Sequence, residues 1–350
     1  MHTHLPSTAS RAIANLSRVR RRLSQLRVRL WVSAICCGLA AVLAVAGCGE
    51  SESDNASEPN TGAAPSAALP APTGGPGVGQ PQAQSGCTKQ ASDSGQMEQA
   101  MAEAVAGDRI CLTGDMNDTR LEIRNSGTPD RPIIILGGGK TTTKGITIEG
   151  NDIVVDGVAA VQGKAPGISI KGNNITLQNS TSVSPQGGDG DAIRFWGRNI
   201  KILHNTLGPT GHCGPCHADC FQTFATNTPT SQNVLIDSNR CEKIENICLI
   251  AEGPNADDGS HHGQSSNFTF SNNYCDNKAS QATFVDDIQN VTISNNQIVG
   301  RHSEKAFAFQ NGSTGAKVIG NNITRPVDYE VGMDDSSEQG YQGPRPGGGP

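Results

Sequence analysis

Seven short segments recur along the chain: DIVVDG (152–157), NITLQN (174–179), NIKILH (199–204), NVLIDS (233–238), NFTFSN (267–272), NVTISN (290–295) and AKVIGN (316–321). Their starts lie 22, 25, 34, 34, 23 and 26 residues apart. Each alternates apolar and polar residues, as a strand with one buried face requires. The inward positions read Ile153/Val155, Ile175/Leu177, Ile200/Ile202, Val234/Ile236, Phe268/Phe270 and Val291/Ile293. A second alternating segment precedes each of the seven: GITIEG, GISIKG, AIRFWG, CFQTFA, ICLIAE, ATFVDD and AFAFQN. A repeat of this period means stacked units that bury a shared core. The last unit places Lys317 where an apolar residue belongs, so it slips in register or sits at an open end.

Working outward, a small polar residue recurs just after each strand: Ser180, Asn205, Asn239, Asn273, Asn296 and Asn322. A stacked turn leaves backbone groups facing inward. Asparagine there can bond the same atoms of neighbouring coils and tolerates a left-handed backbone. The phase predicts an asparagine ladder. Over residues 130–325 the pattern resembles the pectate-lyase-like family, which implies an all-β fold: a right-handed parallel β-helix of about seven to eight coils. The same resemblance implies an N-terminal cap. Asp93 or Ser94 would start a helix running to about Ala106, with Met97, Met101, Ala104 and Val105 as its apolar stripe. GDRICLTGD would follow as a first strand, with Cys87 and Cys111 as a clasp. Residues 327–333 would cover the far end.

The N-terminus reads as an address. Seven arginines, Arg11 to Arg29, precede an apolar run from Trp31 to Ala46 that ends in Val45-Ala46-Gly47-Cys48. This resembles the lipobox of bacterial lipoproteins, which implies cleavage before Cys48, lipidation of its sulfur and a place on the outer face of the cell membrane. A spanning helix would need more apolar length. The arginines also hint at twin-arginine export. The expected divisions are a signal over 1–47, a disordered Pro/Ala/Gly/Ser tether over 48–86, the β-helix over 87–333 and a disordered tail over 334–350.

The whole chain carries 27 basic and 33 acidic residues; losing the seven signal arginines leaves 20 against 33, a balance of −13. Such a body is not expected to bind nucleic acid, and a monomer is expected. Eight cysteines lie outside the signal: Cys87, Cys111, Cys213, Cys216, Cys220, Cys241, Cys248 and Cys275. An even number in an exported protein favours disulfides. Cys241 and Cys275 share a phase on neighbouring coils, so they stack and can pair; Cys220 and Cys248 also lie on adjacent strands, at offset positions that make them the weaker pair. Cys213-Gly-Pro-Cys216, with His212, His217 and Cys220, reads as loop disulfides ahead of zinc or a redox pair. Asp257, Asp258, His261 and His262 form a second, weaker metal candidate.

Chemistry is expected on the outer face of the strands that precede the ladder strands, where loops 181–190, 207–219 and 253–266 are long. In the family resembled, enzymes generally work there. Asp191-Ala-Ile-Arg194-Phe-Trp196 aligns with Asp219-Cys-Phe-Gln222-Thr-Phe224. By parity Arg194, Trp196, Gln222 and Phe224 point outward, and Arg194 lies against Gln222. Arg194, His217, Asp219 and Gln222 are the candidate catalytic residues, with Lys171 and Trp196 as substrate contacts. Asp189, Asp191 and Asp219 are candidate calcium ligands. The expected partner is an extracellular polysaccharide. Eliminative cleavage of a uronic-acid polymer, with a cation or Arg194 neutralising the carboxylate and Arg194 or His217 as base, is favoured over hydrolysis by paired carboxylates or epimerisation. A non-catalytic surface β-helix that binds glycan or a protein partner is the other class.

Overall fold

The computed structural model describes residues 79–211, 217–256, 259–300, 304–324 and 326–350. The signal, Cys48, most of the tether, His212 to Cys216, Asp257 and Asp258 lie outside the described residues. The described chain winds as a right-handed parallel β-helix. Each coil contributes one strand to sheet B and, to sheet A, two short strands or, at Ile133–Thr143 and Ile153–Val161, one long one; sheet B holds nine strands among the described residues, stacked in chain order from Leu121–Ile123 to Tyr329–Met333. All the named pairings between coils are parallel, and equivalent residues stack in register, as in Ile175–Ile200–Val234–Phe268–Val291. These rows are buried and meet in one core, where Phe195 packs on Phe268 and Phe221 on Phe270.

The ladder forms where the two sheet A strands of a coil meet. Backbone N–H groups of Ser180, Asn205, Asn239, Asn273 and Asn296 donate to the side-chain oxygens of Asn205, Asn239, Asn273, Asn296 and Asn321, at 2.8–2.9 Å. Each asparagine also donates to a strand carbonyl, such as Asn239 to Ile202 at 2.8 Å. The residue before each rung takes the left-handed conformation, among them Asn179, His204, Ser238, Asn272 and Asn295. The last rung is Asn321, not Asn322, because the final unit slips by one residue. Lys317 pairs with Thr292 on the outside, and Val318 takes the inward place beside Ile293.

A second ladder, on the surface, was not expected. Asn174, Asn199, Asn233, Asn267 and Asn290 each donate to the same position of the preceding coil, ending on Asp152, over 2.8–3.1 Å. All six are left-handed. The series stops at Gly315, where a Cβ would come within 2.6 Å of Asn290 Oδ1.

The ends differ from expectation. The cap helix runs Ser94–Ala102, with Asp93 as its N-cap. It stops before Val105, which is exposed rather than part of the apolar stripe. Residues 329–333 are the last sheet B strand rather than a cover. The cover is the tail itself, expected to be disordered. Ser336 and Ser337 accept from the Gly312 and Ser313 backbones, Gln342 bridges Lys317, Gly348 bridges Gly332, and Tyr341 packs on the core. Its Gly/Pro-rich sequence ends the stack without offering a regular edge. The end of the tether also docks. Gln84 donates to the Leu112 and Leu136 carbonyls at 2.6 and 2.8 Å, and the Gln82 N–H donates to Asp156.

Cys87–Cys111 forms as expected, but Cys241 and Cys275 are not bonded to each other. Phe221 pairs with Leu249, so Cys220 and Cys248 share one register rather than being offset. Disulfides join Cys220 to Cys241 and Cys248 to Cys275, each crossing the inside of its own coil. Cys241 and Cys275 do stack, but each is bonded to a partner across the lumen.

Asn239→Ala removes a buried rung and strands the Asn205 N–H and the Ile202 carbonyl; it is expected to cost about 3 kcal/mol of unfolding free energy. Asn233→Gly keeps the left-handed backbone of the outer ladder and should cost under about 1 kcal/mol. Denaturant unfolding of both variants checks the contrast. Non-reduced peptide mapping should recover Cys220–Cys241 and Cys248–Cys275; a Cys241–Cys275 peptide would contradict the lumen-crossing pairs.

Candidate functional site

The Ile193–Trp196 and Phe221–Thr223 strands lie side by side at the middle of sheet B, with Arg194 directly against Gln222. The parity that turns Ile193, Phe195 and Phe221 into the core turns Arg194 to the outer face. Asp191 and Asp219 occupy equivalent places at the loop–strand junction, and both are wholly buried.

Their first task is structural. Asp191 Oδ1 accepts from the Asp219 N–H, and Asp219 Oδ1 accepts from the Ile247 N–H and from Asn246, all at 2.9 Å. The pair thus ties three successive coils together. Asp191 Oδ2 accepts from Arg194 Nε at 2.5 Å. Asp219 Oδ2 and Gln222 Oε1 are buried and make no hydrogen bond among the described residues.

Electrostatics follow from this layout. Burial, and then the Asp191 carboxylate one coil away, push the Asp219 carboxyl well above its ordinary range. Burial raises Asp191 too, outweighing the opposing pull of Arg194. Burial disfavours the charged Arg194 guanidinium, but Asp191 and Asp189 beside it prevail and hold it above its usual value. A guanidinium so held is a poor proton acceptor, which counts against Arg194 as a base.

Arg194 is gripped from two sides. Buried Asp191 holds it from within, while Asp189, whose side chain is 56% exposed, pairs with it from the loop. Its plane rests over Phe224, 5.6 Å from the ring centroid. Phe224 also meets Trp196 edge-on at 5.2 Å and accepts the indole N–H through its carbonyl at 2.8 Å. Trp196 is only 4% exposed, with Lys171 over its ring at 5.1 Å. The ring expected to be an open platform is therefore packed, and the exposed Lys171 stands above it. Gln222 is likewise buried.

His217 is exposed at the entrance of the neighbouring strand. Counted back along the register that stacks Asp191 on Asp219, His217 corresponds to Asp189 of the coil before. Gly190 sits so close to Ala218 that a Cβ on it would lie 2.8 Å from that of Ala218. The structure thus gathers Arg194, Asp189, Asp191, Asp219, Gln222 and His217. Of these it leaves His217 and Asp189 exposed, and Arg194 partly so. Sequence reading missed Phe224 as the shelf under Arg194 and Asn246 as a partner of Asp219. Parity alone could have found the first; the second sits in a turn without a repeat.

The acidic trio is a poor set for a dication: two of its carboxylates face a guanidinium, and the third has only the buried Asp219 Oδ2 left over. Among the described residues no three His, Cys, Asp or Glu side chains converge for a metal. Cys220 is withdrawn from the expected metal or redox group by its bond to Cys241.

No family model matches the chain, and no curated protein matches it. Among solved structures it is similar to a mutant of the PL6 family alginate lyase AlyGC, at 15% identity and TM-score 0.49, over 73% of this chain and 40% of that one. It is similar to pectate lyase Pel9A at 13% and 0.47, over 74% and 79%. A pectin methylesterase from Aspergillus niger follows at 10% and 0.38, over 75% and 91%. The chain spans 40% of the length of the alginate lyase structure. None of these similarities bears on chemistry.

Asp219→Asn keeps an acceptor for the Ile247 N–H and removes the titration. An acid whose folded-state pKa is raised favours the fold at low pH and loses that contribution as pH rises from 3.8, its ordinary value, through the raised one. The stability of Asp219→Asn relative to the parent should therefore increase with pH across that window and then level off. Urea unfolding of both proteins at a series of pH values measures it; a difference independent of pH would contradict a raised Asp219.

Proposed function

We propose that this chain is a cell-surface lipoprotein, held through Cys48, that acts as a monomer on an extracellular polysaccharide along the outer face of sheet B, by eliminative cleavage. The observation that carries the reading is Arg194: a cation on an outer strand face, fixed from beneath by a buried carboxylate and capped above by an exposed one. A positive group held so firmly is pre-organised for an anionic ligand. Lys171 and Phe224 extend the surface on either side of Trp196.

In this reading Arg194 receives the carboxylate of a uronate residue and draws charge from the adjacent carbon. His217 takes the proton from that carbon. The electron pair forms the new double bond, and the bond to the glycosidic oxygen breaks, the oxygen leaving with a proton from solvent. Asp191 positions Arg194, and Asp219 holds the loop–strand junction; neither needs to touch substrate.

One observation favours the second class, a glycan-binding scaffold without catalysis. Asp191 is spent on backbone and Arg194, and Asp219 and Gln222 are buried, so His217 is left as the one exposed candidate base among the described residues of this patch.

Turnover separates the two. A soluble chain beginning upstream of Gly79, so that the docked Gln82 and Gln84 are kept, is assayed on a polysaccharide panel for unsaturated product and for binding. Unsaturated product is expected, with His217→Ala lowering its rate by about 100-fold or more while binding persists. Arg194→Ala should weaken both, and Arg194→Lys should recover part of each. Binding with no product on any polymer would establish the scaffold instead.

A further inference from the structure

The tip of loop 181–190 bears on which glycan Arg194 can receive. The loop is pinned at Gln186, which exchanges backbone hydrogen bonds with Gly163 and Ala165 at 2.7 and 2.9 Å. It is pinned again at Gly190, which stacks on Ala218. Between these points lie Gly187, Gly188 and Asp189, and the Gly190 N–H closes the turn on the Gly187 carbonyl. Gly187, Gly188 and Gly190 all have positive φ. Around Gly187 a Cβ would meet nothing within 4 Å. Gly188 is held as well, so the freedom that matters is that of the Asp189 side chain, which stands mostly in solvent.

That side chain is a carboxylate, and it sits on the outward end of Arg194. The two partners of the guanidinium are unequal. Asp191 is wholly buried and also accepts from the Asp219 backbone, so it cannot leave. Asp189 is mostly exposed, and Arg194 is the partner seen for it. An ion pair with one exposed partner contributes little and yields readily. We infer that Asp189 is an internal stand-in for a ligand carboxylate: an acidic sugar binds by replacing it on Arg194, and the displaced Asp189 side chain turns out into solvent. The ligand class is thus a carboxylate-bearing glycan, and neutral or esterified polymers, which cannot make the exchange, are excluded. This deepens the reading of the sheet B site and rests on it for the polymer, but not for the exchange itself.

The test uses the full chain and its Asp189→Ala variant, with polygalacturonate, its fully methyl-esterified form and free glucuronate as probes. Calorimetry should show polygalacturonate binding the variant about fivefold more tightly than the parent, the gain expected from removing one exposed competing pair. The esterified polymer should show no gain. Glucuronate at high concentration should raise the melting temperature of the variant more than that of the parent. A gain with glucuronate but no binding of any polymer would keep the exchange and sink the polysaccharide reading. Equal or weaker binding of every carboxylate by Asp189→Ala would overturn the exchange and make Asp189 a structural partner of Arg194 or a ligand contact itself.

Discussion

A polypeptide wound into stacked coils must satisfy the backbone groups that each turn points inward, where water cannot follow. At the corner between the two sheet A strands, this is met by the run from Ser180 through Asn205, Asn239, Asn273 and Asn296 to Asn321. Each amide takes a backbone N–H from one coil and gives its own protons to a carbonyl and to the next rung. The left-handed residue before each rung makes the corner sharp enough for the chain to turn. Register follows: once the asparagines stack, Ile200 must lie over Ile175 and Phe270 over Ile236. The final coil illustrates this: with Asn321 as its rung, Val318 rather than Lys317 takes the inward place.

Sheet B has a shorter counterpart of that device, and the candidate site is built on it. Asp191 and Asp219 accept the N–H of the next coil from inside, in place of an asparagine. Unlike an amide, each brings a potential charge into a buried setting, and burial next to a like charge is expensive. Arg194 offsets one of the two, and the other keeps its carboxyl above the ordinary range. The site is therefore an imbalance of fixed groups: one cation, two buried acids and one exposed acid that can exchange. Phe224 packs under the cation and Trp196 packs against Phe224, so its direction is set by packing on the outer face of the sheet.

Much of this was legible in the chain. Alternation within NITLQN or NFTFSN, recurring at coil-length intervals, is a direct imprint of the inward face, and strict parity put Arg194 against Gln222. What parity cannot give is depth. Trp196 and Gln222 point outward yet are buried, because Lys171, Phe224 and neighbouring segments lie over the sheet. Cysteine pairing is hidden for a related reason: phase along the stack relates neighbouring coils, whereas Cys220 and Cys241 meet across the lumen of one. The tail after Met333 has a composition that reads as disorder, but Gly and Pro also suit a segment that must lie flat on the last coil and stop it.

A crystal structure of the chain with a bound oligouronate tests the central claim most directly. A uronate carboxylate should sit on Arg194 in the place of the Asp189 side chain, with Asp191 unmoved beneath and His217 facing the sugar. A ligand bound away from sheet B, with the Asp189–Arg194–Asp191 arrangement intact, would contradict it.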